Sequence, residues 1–245
     1  ICDSIIIPLM QKWLASSNHE DLILAFNLIS DIFEHLKGQS QALWPMFIQQ
    51  LGAGLTHKEP DVRVAASYAT NLGFRVPEFA TFQGGEVAKQ MFGILATVVV
   101  KSPKPKNKDT NGKLAYDNAI AALTVACIHC PTLAPEGNVD RLWDEAIFQR
   151  LPIRYDEDES QKLNEYLFDK VSAQDPNTIG ANGARLPKLL GLFSDIYSTE
   201  LVSDELKEKI KVALVGMDRN QLTQMSFTEK QQKKISKIIA AGQMN

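Results

Sequence analysis

The stretch Glu59-Pro60-Asp61-Val62-Arg63-Val64-Ala65-Ala66-Ser67-Tyr68-Ala69 has the features of a helix with a sharp start and a face for close packing. Pro60 suits the first turn, where a backbone N–H would lack an intrahelical partner, and Asp61 places negative charge at that positive end. Small apolar residues then recur at helical spacing: Val62, Ala65, Ala66, Ala69 and Leu72. For a single copy of this pattern, one alanine-rich helix with a well-defined amino terminus is the better interpretation, so a repeat is indicated only if the pattern recurs.

Asp61 and Arg63 bring a carboxylate and a guanidinium to the turn that precedes this helix. In that position they can bond to each other or to a neighbouring unit, and we predict that they form a structural ladder. A turn reading Pro-Asp-Val-Arg, followed by an alanine-rich helix, resembles the second helix of a HEAT repeat.

The apolar positions of this helix do recur along the chain. Positions 62, 65, 66, 69 and 73 reappear 40 residues earlier, at 22, 25, 26, 29 and 33, and 54 residues later, at 116, 119, 120, 123 and 127. A period of roughly 40–47 residues is typical of stacked helix pairs. The longer second offset is explained by the segment 101–113, in which five lysines and two prolines predict an exposed, mobile loop that packs against nothing.

The remaining apolar runs continue the alternation of helices and turns. Ser17 or Asn18 is expected to cap the second helix, and an early proline recurs in the first helix of a pair, as at Pro8, Pro45 and Pro187. We expect helices near residues 5–14, 20–36, 41–55, 60–73, 86–99, 116–127, 140–151, 163–171, 186–196, 206–217, 221–225 and 228–241. No stretch alternates with a period of two, so no sheet is expected.

The predicted fold is therefore all-α, a right-handed α-solenoid of about five to six HEAT-type antiparallel helix pairs. We expect one array over residues 1–245, with repeats near 1–38, 39–80, 81–133, 134–176, 177–217 and 218–245. Since the chain opens on Ile1 without a methionine, we expect it to be a fragment of a longer solenoid.

Composition narrows the classes of partner. With 26 basic and 29 acidic residues the net charge is −3, which is not the concentrated basic surface of a nucleic-acid-binding protein. The longest plainly apolar run, Ile94 to Val100, is too short to span a bilayer. Neither nucleic acid nor a membrane is an expected partner. Three cysteines are consistent with a reducing compartment.

The sequence contains one cluster that suggests metal or redox chemistry, Cys127-Ile128-His129-Cys130. A second cysteine pair to complete a zinc site is missing, and Cys127 falls in the core register, so buried structural thiols are the favoured interpretation. The four histidines are scattered, and neither a phosphate-binding glycine loop nor a nucleophile elbow is present. We expect no catalytic residue, no cofactor and no metal, and hence no enzyme.

An acidic run, Asp156-Glu157-Asp158-Glu159, is expected to form a turn between two helices. Two interpretations remain open. The turn is either a solvated segment that keeps the protein soluble or a contact for a basic partner.

Five stretches between roughly Leu43 and Phe193 occur in the order and spacing of a known family. They are Pro60 through Tyr68, Asp117-Asn118-Ala119-Ile120 through Cys130-Pro131-Thr132, Leu142-Trp143 through Leu151-Pro152-Ile153, Gly180-Ala181-Asn182, and Leu186-Pro187-Lys188-Leu189. In this order they resemble the carboxyl-terminal part of a karyopherin-β nuclear transport receptor, of the importin beta-three type.

The resemblance implies a shuttling protein of the cytoplasm and nucleus that binds cargo proteins with basic signals, phenylalanine-glycine (FG) nucleoporins and, through the full-length receptor, the GTPase Ran. Because the family's main Ran-binding repeats lie toward the amino terminus, no Ran-contact residue is assigned. Two alternatives remain: a general HEAT-repeat scaffold subunit of a protein complex, and an enzyme with a helical-repeat fold.

Overall fold

The computed structural model describes residues 5–243, and within that range every regular element is helical, which confirms the all-α prediction. Residues 1–4 and 244–245, at the outer ends of the first and last expected repeats, lie outside the described residues. The chain divides into two compact units, Ile1–Gln149 and Arg150–Asn245.

The first unit contains seven α-helices within its described part: α1 (Ile7–Leu14), α2 (His19–Asp31), α3 (Ile48–Gly54), α4 (Pro60–Arg75), α5 (Glu86–Lys101), α6 (Thr110–His129) and α7 (Val139–Arg141). Shorter helical segments join them. These are π-helical turns at Ile32–Leu36 and Leu142–Ile147, and 3₁₀ segments at Lys37–Met46, Pro77–Ala80, Phe82–Gly85, Pro131–Leu133 and Pro135–Gly137.

The centre of this unit is a layer of three helices, in which α4 packs against α2 on one side and α6 on the other. These are the helices that share the apolar register, and the register predicts their buried faces. Four residues of each are buried: Ala25, Phe26, Ile29 and Phe33 from α2 and the turn after it, Ala65, Ala66, Ala69 and Gly73 from α4, and Ala119, Ile120, Leu123 and Cys127 from α6.

Small residues make this packing close. A Cβ placed on Gly73 would lie 3.2 Å from the ring of Phe33, and one placed on Gly54 would lie 2.6 Å from the ring of Phe26 and 2.8 Å from the Cβ of Ala66. The expectation of close helix approach on this face is therefore confirmed.

The starts of α2, α4 and α6 follow ordinary helix chemistry. Asn18 caps α2, where its Oδ1 accepts from the Glu20 N–H at 3.2 Å, so the sequence identified this cap correctly as one of two candidates. Pro60 is the first residue of α4 and Asp61 lies in its first turn. Asp109 caps α6, with Oδ1 accepting from the Gly112 N–H at 2.9 Å.

Three expected helices are shorter than the sequence indicated. The helix predicted to reach residue 36 ends as an α-helix at Asp31 and continues as a π turn. The helix expected over 41–55 is a 3₁₀ segment up to Met46, because Pro45 has no N–H to donate to an α-helical ladder. The helix expected over 140–151 turns π-helical at Leu142 and ends at Ile147, where the Phe148 N–H bonds five residues back to the Trp143 carbonyl.

The lysine-rich loop is also shorter than predicted. Lys101 is the last residue of α5 and Thr110 the first of α6, since the Asp109 cap begins the helix early; only residues 102–109 are loop. Lys104, Lys106 and Lys108 are exposed, as predicted. The expectation that the segment packs against nothing is wrong, because Ser102 and Pro105 are half-buried and Asn111 Nδ2 donates to Oδ2 of Asp61 in α4 at 3.2 Å.

The second unit contains α8 (Glu157–Ser172), α9 (Pro176–Ile179), α10 (Leu186–Ile196), α11 (Asp204–Gly216), α12 (Arg219–Gln224) and α13 (Glu229–Gln243). Its core joins α10, α11 and α13 through buried aliphatic residues: Leu189, Ile196, Ile210, Leu214, Ile235 and Ile238. The break predicted at residues 175–177 contains the single turn α9, because the Asp175 carboxylate caps Thr178.

Polar contacts tie the helices of this unit together at specific points. Asn164 of α8 donates to the Leu201 carbonyl at 2.9 Å. The carboxylate of Asp195 in α10 accepts two hydrogen bonds from α13, one from Lys234 Nζ at 2.7 Å and one from Gln231 Nε2 at 2.9 Å. Because side-chain bonds of this kind depend on direction as well as distance, they fix how the amphipathic helix α13 lies on α10.

Within residues 5–243, no helix combines the length and apolar character needed to cross a bilayer.

Candidate functional site

The sequence singled out two groups of residues, and the structure places them in different units. Asp61 and Arg63 lie at the start of α4 in the first unit, and Asp156, Glu157, Asp158 and Glu159 lie at the start of α8 in the second. Each group sits at a helix amino terminus, where free backbone N–H groups and the helix dipole favour negative charge.

Arg63 is bonded to the turn that precedes its own helix. Its Nη1 donates to the carbonyl of His57 at 2.6 Å and to that of Lys58 at 2.9 Å, and the side chain is half-buried. One guanidinium nitrogen thus satisfies two carbonyls that the chain reversal leaves outside any helix. Arg63 holds the α3–α4 turn in shape.

Asp61 reaches across to the next helix of the layer. Its Oδ2 accepts from Asn111 Nδ2 at 3.2 Å, which links the first turns of α4 and α6 over 50 positions of sequence. Both residues are exposed. The two predicted ladder residues therefore bond to different segments: Arg63 bonds to the turn before its own helix, and Asp61 bonds to the neighbouring helix.

The acidic run is a helix start and not the turn that was expected. Asp156 is the N-cap of α8, and its Oδ1 accepts from the Glu159 N–H at 3.0 Å, while its carbonyl accepts from the Ser160 N–H at 2.8 Å. Glu157, Asp158 and Glu159 occupy the first turn of the helix. Carboxylates are stabilised there by the same free N–H groups that a cap satisfies, which is why the run is helical.

Only two of the four carboxylates face solvent freely. Glu159 is 4% exposed, and Asp156 is half-buried in its capping role. Glu157 and Asp158 are exposed, and no ion pair within residues 5–243 engages them. A basic partner would therefore meet Glu157 and Asp158, next to the aromatic ring of Tyr155, which is 49% exposed and which sequence reasoning missed.

Other carboxylates of the same unit are already neutralised by lysines. Lys209 of α11 lies 2.9 Å from Glu205 and 3.3 Å from Glu165 of α8. Its hydrogen bonds, first to Glu205 and then to Glu165, raise the pKa of Lys209, and the same lysine lowers the pKa of Glu205. One ammonium group is thus shared by two carboxylates, whereas Glu157 and Asp158 at the amino terminus of α8 have no such lysine within residues 5–243.

Both cysteines of the Cys127–Cys130 cluster are buried thiols, and neither forms a disulfide within residues 5–243; the core register predicted for Cys127 is confirmed. Burial raises the pKa of the Cys130 thiol to about 11, so it is protonated at neutral pH. A reactive or metal-binding cysteine requires the thiolate, which this environment disfavours. Among residues 5–243, no group of three or more histidine, cysteine or acidic side chains is arranged to hold a metal ion.

Arg185 is a structural residue that the sequence did not single out. It is 7% exposed, and its Nη1 donates to the carbonyls of Asn177 at 2.7 Å and Thr178 at 3.3 Å. Its arrangement in the second unit is similar to that of Arg63, since an arginine near a helix start bonds two carbonyls of the preceding segment, here the short helix α9. The signal available in the sequence was an arginine directly before Leu186-Pro187.

No protein-family model matches this chain.

Proposed function

We propose that this chain is the protein-binding part of a nuclear transport receptor. In this proposal it binds cargo proteins with basic signals and FG nucleoporins, acts under the control of Ran-GTP through the full-length receptor, and shuttles between cytoplasm and nucleus. It binds proteins and does not catalyse a reaction.

The observation that carries the proposal is the layer formed by α2, α4 and α6. Three helices with one apolar register pack side by side, and each is preceded by a shorter helix in sequence. This is what a HEAT-type array requires, because each helix pair buries its apolar face only against its neighbours. We propose that the chain forms about five to six such pairs in a right-handed array, a geometry suited to extended protein partners.

The amino terminus of α8 is the proposed contact for a basic cargo signal. Glu157 and Asp158 supply exposed carboxylates without a lysine or arginine of their own within residues 5–243. The exposed ring of Tyr155 offers a surface for the aliphatic stem of a lysine. Exposed ion pairs contribute only about 0–1 kcal/mol each, so this contact acts mainly on encounter rate and selectivity.

The test is binding of a fluorescent lysine-rich signal peptide by the chain and by the variant Glu157→Gln/Asp158→Asn. Asp31→Asn/Glu34→Gln is the matched control, because it removes two exposed carboxylates with the same change of charge in the first unit. We expect the α8 variant to weaken binding by about 3- to 10-fold at low salt and the control to leave it unchanged. Equal affinities for all three proteins would contradict the contact.

A general HEAT-repeat scaffold shares the helix layer but not the transport partners. Pull-down of Ran-GTP by the full-length protein separates the two proposals. Capture of Ran-GTP supports the transport receptor, and failure to capture it favours the scaffold.

A further inference from the structure

A pocket of about 730 Å³ opens between the lysine-rich loop and the helices α4 and α6, and its volume falls in the range of small-ligand sites. Polar and charged residues of its lining include Arg63, Ser67, Lys104, Lys106, Asp109 and Tyr116. We call this cavity the Lys104 pocket. It belongs entirely to the first unit and lies far in sequence from the acidic start of α8.

The charge around this pocket is positive. The segment 101–113 carries five lysines and one aspartate. Lys104 and Lys106 are exposed, and neither forms an ion pair within the described part of the chain. The lining carboxylate, Asp109, already caps α6 through its bond from the Gly112 N–H, which limits how far it can neutralise the lysines.

The inner wall adds groups that donate hydrogen bonds. Arg63 is held in place by the carbonyls of His57 and Lys58, so its charge is fixed beside the pocket. Ser67 is 1% exposed and is the most deeply buried polar side chain of the lining. A guanidinium forms strong charge-assisted hydrogen bonds with carboxylate and phosphate groups, and a serine hydroxyl can donate a further hydrogen bond to the same group.

The loop itself is restrained. Pro103 and Pro105 alternate with Lys104 and Lys106, and each proline fixes its own φ angle and restricts the residue before it. The backbone that carries the two lysines therefore loses less conformational entropy on binding than a glycine-rich loop of equal length would.

We propose that the Lys104 pocket binds an acidic peptide segment of a partner protein. One carboxylate or phosphate group of the segment lies beside Arg63 and Ser67, and flanking acidic side chains pair with Lys104 and Lys106. This site is opposite in charge to the proposed contact for basic signals on α8, and it does not depend on the transport function.

The experiment measures fluorescence anisotropy of the full chain with two labelled peptides of about eight residues, one rich in glutamate and one in which phosphoserine replaces two of the glutamates. Lys104→Glu/Lys106→Glu is the test variant. Lys230→Glu/Lys237→Glu is the matched control, since it reverses two exposed lysines of α13 and gives the same change in net charge. Ser67→Ala tests the inner wall.

We expect the test variant to weaken peptide binding by about tenfold or more at roughly 50 mM salt, with a smaller difference at roughly 300 mM, and the control to change it less than about twofold. Binding of both peptides identifies negative charge as the ligand, whereas binding of the phosphopeptide alone, with a further loss in Ser67→Ala, identifies phosphoserine. Equal affinity in wild type and test variant would overturn the proposal. So would an equal loss in the control, or tighter binding of a single-stranded oligonucleotide that displaces the peptide.

Discussion

Asp61 and Asn111 join the first turns of two adjacent helices: Oδ2 of Asp61 accepts from Nδ2 of Asn111 at 3.2 Å. The bond crosses the most extensive helix contact of the first unit, between α4 and α6. It lies at the exposed end of that contact, while the small residues of the shared register form the buried part.

Because this bond is exposed, we predict a small coupling energy. In a double-mutant cycle with Asp61→Ala and Asn111→Ala, each single change should lower the free energy of unfolding by less than about 1 kcal/mol, with an interaction energy of about 0.5 kcal/mol. Urea denaturation measures both quantities. A coupling above about 2 kcal/mol would contradict the view that the buried register carries the stability of the layer.

We predict that Arg63 contributes more to the free energy of unfolding than Asp61 does. Arg63→Ala removes one donor from two turn carbonyls, and we expect it to lower the free energy of unfolding by about 1–3 kcal/mol. Arg63→Lys should lose less, since an ammonium group can still reach one carbonyl. Lys89→Ala is the control, because Lys89 is exposed and pairs only loosely with Glu86 at 3.9 Å. A thermal midpoint unchanged by Arg63→Ala would refute the role assigned to this residue.

Gly54 is predicted to be intolerant of a methyl group. Its added Cβ would meet the buried ring of Phe26 at 2.6 Å and the Cβ of Ala66 at 2.8 Å, so Gly54→Ala must push helices apart and should cost about 1–3 kcal/mol. Gly93→Ala is the matched control within α5, where nothing lies within 4 Å of the added Cβ. That change should stabilise the helix by about 0.5–1 kcal/mol. Equal effects of the two substitutions on chemical denaturation would show that the layer is looser than described.

Because the thiol of Cys130 is buried, we predict that the free energy of unfolding falls at alkaline pH. Burial raises its pKa from 9.0 to about 11 in the folded protein, so the folded state holds its proton more tightly than the unfolded state does. The protonated thiol therefore contributes its full stabilisation to the free energy of unfolding below pH 9. This stabilisation is lost as the pH rises from there toward 11, and about 2 kcal/mol of it is lost near pH 10.5. The measurement is the free energy of unfolding of wild type and Cys130→Ala between pH 8 and about 10.5. The difference between the two proteins should shrink with pH, and a constant difference would argue against the raised pKa.

The sequence predicted the helix layer because its signal is periodic. Positions 25, 26, 29 and 33 and their counterparts 40 and 94 residues later are apolar or small at helical spacing, and burial of such a face is the dominant favourable term in packing. The cap at Asn18 and the start at Pro60 were also readable, since both depend on local chemistry.

The features that the sequence missed depend on tertiary contacts or on details of hydrogen bonding. The π turn at Ile32–Leu36 keeps the same apolar residues as an α-helix, so periodicity does not separate them. The burial of Glu159 and the hydrogen bonds of Arg185 depend on which other segments of the chain lie beside them, and local sequence patterns do not encode this. The pocket under Lys104 arises because a loop read as solvent-exposed lies near α4 and α6.

The central claim, that the chain is the cargo-binding part of a Ran-regulated transport receptor, is tested most directly with the full-length protein on an immobilised lysine-rich signal peptide. Bound receptor is measured by surface plasmon resonance before and after addition of Ran-GTP, with Ran-GDP as the control. We predict binding in the absence of Ran, weakened by Glu157→Gln/Asp158→Asn, and rapid release by Ran-GTP alone. Binding that is insensitive to the nucleotide on Ran, or no binding to the peptide, would contradict the account.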